Sequence, residues 1–230
     1  MNIDDYKKWL NDDLDTASQI KRVGEFSEIT VPEKYLNIWK TVSMPVQVAK
    51  AKTHGLTNEQ TNDCLRQLCR RPYYLASIAA EFAAKNIVEV GTAEGLQFYS
   101  FAEYAKTVGG HVWSCDLRDV RNTECAIEYN DNTTFLLGDS KQLANIIPEP
   151  IDLYYVDASH DYGAVVRDVI NLRETQSENP IWIFDDFDKR FGCHKDIERL
   201  CQISGKFKIY RVGNAASGNP NHQVIIFGRL

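Results

Sequence analysis

This sequence lacks the features that mark a secreted, membrane-bound or disulfide-stabilised protein. Its six cysteines form no C-x-x-C pair, so the sequence indicates neither a zinc site nor a disulfide framework, and free thiols are expected. No apolar run reaches the roughly 18 residues that a membrane-spanning helix needs. Residues 1–14 are acidic and polar, without the apolar stretch of a signal peptide. We therefore expect a cytoplasmic protein that has no membrane partner.

An excess of positive charge is also missing. The chain has 26 Lys and Arg residues against 32 Asp and Glu residues, which gives a net charge of -6. An acidic chain gains little from the counterion release that drives binding to nucleic acids. We therefore expect no nucleic-acid partner. The 43% of hydrophobic residues is ordinary for a globular protein and is enough to form a core.

From residue 86 onward, apolar runs alternate with amphipathic stretches. The alternation predicts an α/β fold, a doubly wound Rossmann-like sheet of seven mostly parallel strands that ends in an antiparallel hairpin. Residues 1–85 read differently and are predicted to form a helical cap or lid segment, while residues 86–230 form the core. The predicted strands are Ile87–Val90, His111–Cys115, Thr134–Leu137, Ile151–Val156, Ile181–Phe184, Phe207–Val212 and Gln223–Phe227. The predicted helices are Gly95–Tyr104, Arg121–Glu128, Ser140–Ile146, Gly163–Glu174 and Cys193–Gln202.

A glycine-containing turn follows the first predicted strand. Gly91, Thr92 and Gly95 lie in this turn, where glycine lets the backbone approach a ligand closely and the next helix begins. A purely structural tight turn is the alternative interpretation.

The next two strands also end in polar residues. Asp116 follows the second strand, where a carboxylate suits the two hydroxyls of a ribose. The third strand ends at Gly138, Asp139 and Ser140, where Asp139 or a neighbour could meet an adenine. Either aspartate could instead cap a helix. Together they favour a nucleoside-shaped pocket at the carboxyl edge of the sheet.

The fourth and fifth strands end in acidic residues. Asp157 follows the fourth strand with His160 three residues later, and Asp185 and Asp186 follow the fifth. These strand ends lie side by side in a parallel sheet, so the carboxylates are predicted to converge, which requires a cation or raised pKa values. Carboxylate oxygens suit Mg²⁺, Mn²⁺ or Ca²⁺. The alternative is that Asp157 and Asp185 cap helices, Asp186 is solvated and His160 is incidental.

The core resembles the class I S-adenosylmethionine (SAM) dependent methyltransferases. It is most similar to metal-dependent sugar O-methyltransferases of macrolide and aminocoumarin tailoring, and to their relatives in polysaccharide gene clusters. The matching segments are Val88–Gly95, Asp116, Gly138-Asp139, Val156–Tyr162 and Asp185-Asp186. The Asp157-to-His160 segment with the later acid pair is the specific part. The turn departs from the family pattern, because Thr92 and Ala93 lie among its glycines.

The resemblance implies roles for these residues. Asp157, Asp185 and Asp186 would bind Mg²⁺, and His160 would be the general base that takes the proton of an acceptor hydroxyl. Asp161 is a second candidate for that base. Glu89 and Gly91 would serve the methionine end of SAM, and Asp116 its ribose. The expected acceptor is a small molecule or saccharide, and a homo-oligomer is possible.

Three other functions compete with this interpretation. A nicotinamide-dependent oxidoreductase would explain the glycine turn and Asp116, but it leaves the acids after strands four and five unexplained, and no G-x-G-x-x-G occurs. A non-catalytic SAM-fold binding subunit would not need the acid set. A nucleic-acid N-methyltransferase is disfavoured by the acidic charge and by the lack of an NPPY-like motif.

Side chains near the acid pair also receive predictions. Trp182 is expected in the core, and Phe187 and Phe191 are candidates for the acceptor pocket. Cys193 is expected to be an inert thiol, because no activating arrangement lies near it. His194 is expected at the surface, at the start of a helix.

Overall fold

The computed structural model describes residues 55, 57, 75, 76, 78–204, 207–212 and 221–230. Most of the predicted N-terminal segment, residues 1–85, lies outside this range, as do residues 213–220, which join the last two strands. The described part is an α/β sandwich whose central sheet positions every predicted site residue.

The strands are β1 (Asn86–Val90), β2 (His111–Asp116), β3 (Thr133–Leu137), β4 (Ile151–Val156), β5 (Gln176–Phe184), β6 (Phe207–Val212) and β7 (Asn221–Phe227). The α-helices are α1 (Leu96–Val108), α2 (Thr123–Glu128), α3 (Ser140–Ala144), α4 (Ala164–Leu172) and α5 (Cys193–Ser204). Short 3₁₀ helices span Asn130–Asn132 and Arg173–Thr175. Helical residues 78–81 precede β1.

Within the described residues the sheet has seven strands in the order β3-β2-β1-β4-β5-β7-β6. The first five strands in this order pair in parallel. β7 pairs antiparallel with both β5 and β6. The predicted doubly wound, mostly parallel sheet with an antiparallel end is therefore confirmed. Chain order reverses between β1 and β4, and the crevice at such a reversal is where doubly wound folds bind ligands.

Two cores cover the two faces of the sheet. On one face, α1 packs with Phe98 and Phe101 against strand residues that include Ile87, Tyr155 and Ile183. On the other face, the helices α3, α4 and α5 cover a layer in which Trp182 stacks on Tyr154, with ring centroids 3.8 Å apart. The predicted core position of Trp182 is confirmed. Both faces are buried because the parallel strands are apolar along their length.

No helix among the described residues is long and apolar enough to span a membrane.

Candidate active site

The turn after β1 lies directly against the end of β4. Gly91 has a φ of 96°, and a Cβ at this position would overlap with the carbonyl of Asp157. Its amide donates to the carbonyl of Cys115 at 2.9 Å. A glycine is required here for two reasons, the left-handed backbone and the close approach of β4. The predicted cofactor turn and the first predicted metal ligand are therefore neighbours.

Asp116 connects the turns that follow β1 and β2. Its two carboxylate oxygens accept from the amide of Ala93 at 2.9 Å and from the amide of Arg118 at 3.0 Å. It is not a helix cap, because α2 begins later and Asn122 caps it. Asp116 holds Ala93 at a φ of 45°, a conformation that is unfavourable for alanine. The aspartate thus shapes the turn, and each of its oxygens can still accept a second hydrogen bond.

Glu89 belongs to a buried chain of hydrogen bonds. The hydroxyl of Ser114 donates to its carboxyl at 2.9 Å, and the hydroxyls of Ser114 and Thr92 lie 2.5 Å apart. All three side chains are buried. Burial raises the pKa of Glu89 well above its usual value, and the nearby carboxylates of Asp157 and Asp116 raise it further. Glu89 is therefore connected to the turn through Ser114, and the side chain of Thr92 lies in the protein interior.

The residues after β3 have structural partners. Asp139 caps α3: its side chain accepts from the amide of Gln142, whose own side chain accepts from the Asp139 amide. Ser140 is buried and its hydroxyl donates to Asp168 at 2.6 Å, while the side-chain amide of Asn171 donates to the Ser140 hydroxyl at 2.9 Å. Ser140 thus links α3 to α4. For Asp139 the structure bears out the capping interpretation, and the cofactor contacts predicted for Gly138, Asp139 and Ser140 stay predictions.

Asp157, His160 and Asp186 form a compact group at the carboxyl edge of the sheet. One ligand atom from each lies within 4.8 Å of the others. The Nε2 atom of His160 is 2.6 Å from a carboxylate oxygen of Asp186. The capping alternative fails for Asp157, since Gly163 is the N-cap of α4. Two carboxylates and an imidazole at this spacing form a donor set that fits a divalent cation such as Mg²⁺ or Mn²⁺.

The two adjacent acids after β5 diverge. Asp185 extends the strand, with its amide bonded to the carbonyl of Val156 at 3.0 Å, and its side chain is buried. Asp186 has a φ of 55°, which turns its carboxylate towards His160. Among the described residues the group that could hold a cation contains Asp186 but not Asp185. The predicted ligand role of Asp185 stays a prediction.

A tyrosine that the sequence reasoning overlooked joins the two strand ends. The hydroxyl of Tyr155 lies 2.9 Å from a carboxylate oxygen of Asp157 and 3.0 Å from one of Asp185. Tyr155 lies in β4 and precedes Asp157 by two positions, and the period-two alternation of the strand, continued to its end, places both side chains on the same face. That spacing was the signal in the sequence.

The loops after β4 and β5 pack closely on each other. The amide of Cys193 donates to the carbonyl of His160 at 2.9 Å, and a Cβ at Gly192 would lie 2.5 Å from the amide nitrogen of Tyr162. The ring of Phe191 lies 4.4 Å from the imidazole of His160, so this aromatic side chain borders the group. Asp161 accepts from Ser159 at 3.1 Å.

The surface position predicted for His194 is wrong. His194 is buried and stacks on Phe187, with ring centroids 4.3 Å apart. Burial lowers its pKa. Phe187 belongs to the loop that follows β5, so this loop covers the first turn of α5. Cys193 beside it is buried, which raises the pKa of its thiol to about 11, in keeping with the predicted inert thiol.

The comparisons with known proteins agree with this geometry. Residues 88–187 match the family model for a methyltransferase domain, a range that begins in β1 and includes the glycine turn and every acid discussed above. This part of the chain is thus similar to a methyltransferase domain. Over 115 residues the chain is 28% identical to the O-methyltransferase AnkF of Aspergillus thermomutatus, covering 47% of this chain and 48% of that relative. The chain thus matches about half the length of this curated relative.

Solved methyltransferases share the fold of the part of the chain that the structure describes. An O-methyltransferase from Bacillus cereus in complex with SAH (S-adenosylhomocysteine) has a TM-score of 0.57 at 15% identity, covering 97% of this chain and 100% of that one. The O-methyltransferase TomG from Streptomyces achromogenes, in complex with SAM, has a TM-score of 0.58 at 11% identity, covering 93% and 99%. At such identities the similarity shows the methyltransferase fold.

Proposed function

We propose that this chain is a SAM-dependent O-methyltransferase that uses a divalent cation and acts on a hydroxyl of a small molecule or saccharide. One observation carries the proposal: the turn at Gly91 contacts the backbone of Asp157, whose side chain belongs to the group with His160 and Asp186. A donor bound at the turn would therefore lie beside the acids and the imidazole, as transfer between two bound molecules requires.

The surroundings of Asp116 support a nucleoside at the turn. Asp116 lies at the end of β2, where a carboxylate suits a ribose. Leu117 and Leu137, at the same edge of the sheet, are largely exposed. Exposed apolar side chains here support contact with the aromatic base of a nucleoside. The domain match and the SAM and SAH complexes of the structural neighbours support SAM over a nicotinamide cofactor.

His160 is the side chain best suited to take the acceptor proton. About half of the His160 side chain is exposed, and its Nε2 atom contacts the carboxylate of Asp186. The imidazole is therefore both oriented and accessible. Asp161, the second candidate, is engaged with Ser159, which supports His160. In the reaction the acceptor oxygen attacks the methyl carbon, the electron pair of the C–S bond goes to sulfur, and His160 receives the hydroxyl proton.

Asp157 and Asp186 would hold the cation, with His160 beside them. A bound divalent cation would lower the pKa of the acceptor hydroxyl and fix its position. The chain's own contribution is to fix the two carboxylates: Asp157 by its hydrogen bond from Tyr155, and Asp186 by its contact with His160. This cation role rests on the chemistry of the donor set.

Two measurements test the proposal. The first compares thermal stabilisation by SAM with that by NAD. We expect SAM, but not NAD, to raise the melting temperature. The second is a methyl-transfer assay with labelled SAM against catechols, phenols, sugars and RNA, with and without EDTA. We expect O-methylation of a hydroxyl compound, and we expect EDTA to abolish this methylation. Stabilisation by NAD alone would favour the oxidoreductase, and EDTA-insensitive transfer would remove the cation from the proposal.

A matched pair of variants tests the acids. Asp157→Asn with Asp186→Asn should abolish turnover while the variant still binds SAM, because the glycine turn is unchanged. Asp152→Asn is the control: this carboxylate bonds the amides of Lys85 and Asn86 at the opposite end of β1. We expect this control to keep its turnover and its cation dependence.

A further inference from the structure

Tyr155 has a hydroxyl group that its packing in the core does not require. It lies in β4 between Glu89 of β1 and Ile183 of β5, and its ring is 6.2 Å from that of Phe101. A phenylalanine would make the same apolar contacts. The hydroxyl is the additional feature, and it ends between two carboxylates.

The hydroxyl joins two acids that belong to different strand ends. It is 2.9 Å from Asp157 and 3.0 Å from Asp185, although those residues follow different strands. A phenol has one proton and can accept as well as donate. It therefore connects the two carboxyl groups and orients that of Asp157, which is the member of the pair that faces His160 and Asp186.

We propose that Tyr155 is a positioning residue for the cation site and that Asp185 acts through it instead of binding the cation directly. This inference rests on the cation role in the proposed function. Asp185 is buried beneath the edge of the sheet, and the group of three potential ligands among the described residues does not include it. Residues that orient metal ligands commonly contribute to metal affinity without touching the ion.

The test measures Mn²⁺ binding by the EPR signal of free Mn²⁺, and SAM binding by calorimetry in the same preparation. Tyr155→Phe removes the hydroxyl and keeps the ring. We expect Mn²⁺ affinity to fall about tenfold or more, with SAM affinity unchanged. Tyr154→Phe is the matched control, because this neighbouring hydroxyl bonds Thr175 at 2.9 Å on the other face of the sheet. Its Mn²⁺ affinity should equal that of the wild type.

The role of Asp185 is tested by a double-mutant cycle. If Asp185 acts through Tyr155, Asp185→Asn added to Tyr155→Phe should cause no further loss of Mn²⁺ affinity, because the connection is already absent. Additive losses would make Asp185 a direct ligand and overturn that part of the inference.

The remaining outcomes are distinct. Wild-type Mn²⁺ affinity in Tyr155→Phe would overturn the positioning role and leave the proposed function intact. A wild-type protein that binds SAM but no Mn²⁺ would overturn both the cation role and this inference. Equal losses of Mn²⁺ and SAM affinity in Tyr155→Phe, without loss in Tyr154→Phe, would indicate a general structural role and overturn the positioning role.

Discussion

The imidazole of His160 and the carboxylate of Asp186 meet at 2.6 Å, although they follow different strands. The contact depends on the two loops lying against each other, which the absence of a side chain at Gly192 permits. It also depends on the left-handed backbone at Asp186, with a φ of 55°. The pair therefore exists only when β4 and β5 have assembled side by side.

The first prediction concerns this pair. His160→Asn should lower kcat by about 10²- to 10⁴-fold, the usual contribution of a positioned general base, with little change in SAM affinity. Steady-state kinetics with an acceptor from the assay above provide kcat, and calorimetry provides the SAM dissociation constant. Asp161→Asn is the control and should retain most of the activity. A larger loss in the Asp161 variant would move the base to that residue.

The second prediction concerns the glycine turn. Gly91→Ala should destabilise the protein strongly, because a Cβ would overlap with the Asp157 carbonyl in addition to the strain at positive φ. Gly163→Ala isolates the strain: its φ is 86°, and no atom lies within 4 Å of the added Cβ. We expect Gly163→Ala to cost about 1–2 kcal/mol of unfolding free energy and Gly91→Ala clearly more, measured by urea denaturation. Equal costs would show that the backbone at the end of β4 shifts to make room for the added Cβ.

The third prediction concerns the buried carboxyl of Glu89. Burial raises its pKa above the unfolded value of 4.5, so its favourable contribution is present below that value and is lost as the pH rises towards the raised pKa. Glu89→Gln cannot ionise. The variant should therefore gain stability relative to the wild type as the pH rises, by up to about 1.4 kcal/mol per pH unit.

Urea denaturation between acid and neutral pH measures this difference in unfolding free energy. Glu81→Gln is the control for the same chemical change at an exposed position. A pH-independent difference between Glu89→Gln and the wild type would show that folding does not raise the pKa of Glu89.

The fourth prediction concerns Ser140, whose place in a cofactor site was predicted from sequence. Its hydroxyl donates to the buried Asp168 at 2.6 Å, so Ser140→Ala should cost about 1–3 kcal/mol of unfolding free energy by leaving that carboxyl without this donor. SAM affinity should stay unchanged. A weaker SAM affinity at unchanged stability would show that Ser140 belongs to the cofactor site.

The period and order of the hydrophobic segments determined the fold. Apolar strands alternate with amphipathic helices, and such a pattern buries both faces of a sheet in only a few ways. The same pattern predicted that Asp157 and Asp186 would meet, because parallel strands bring their carboxyl ends to one edge. The glycine turn after β1 was also readable, since Gly91 follows an apolar strand and precedes a helix.

Tertiary structure decided which neighbouring side chains share a site. Asp185 and Asp186 are adjacent in sequence, yet one extends its strand towards Tyr155 and the other turns towards His160. Asp116 ends β2 and Asp139 follows β3 closely, yet Asp139 caps a helix and Asp116 joins two turns. Sequence spacing fixes which strand end a residue follows. Backbone dihedral angles and the packing of adjacent loops fix its direction, and these depend on contacts between segments that are distant in the chain.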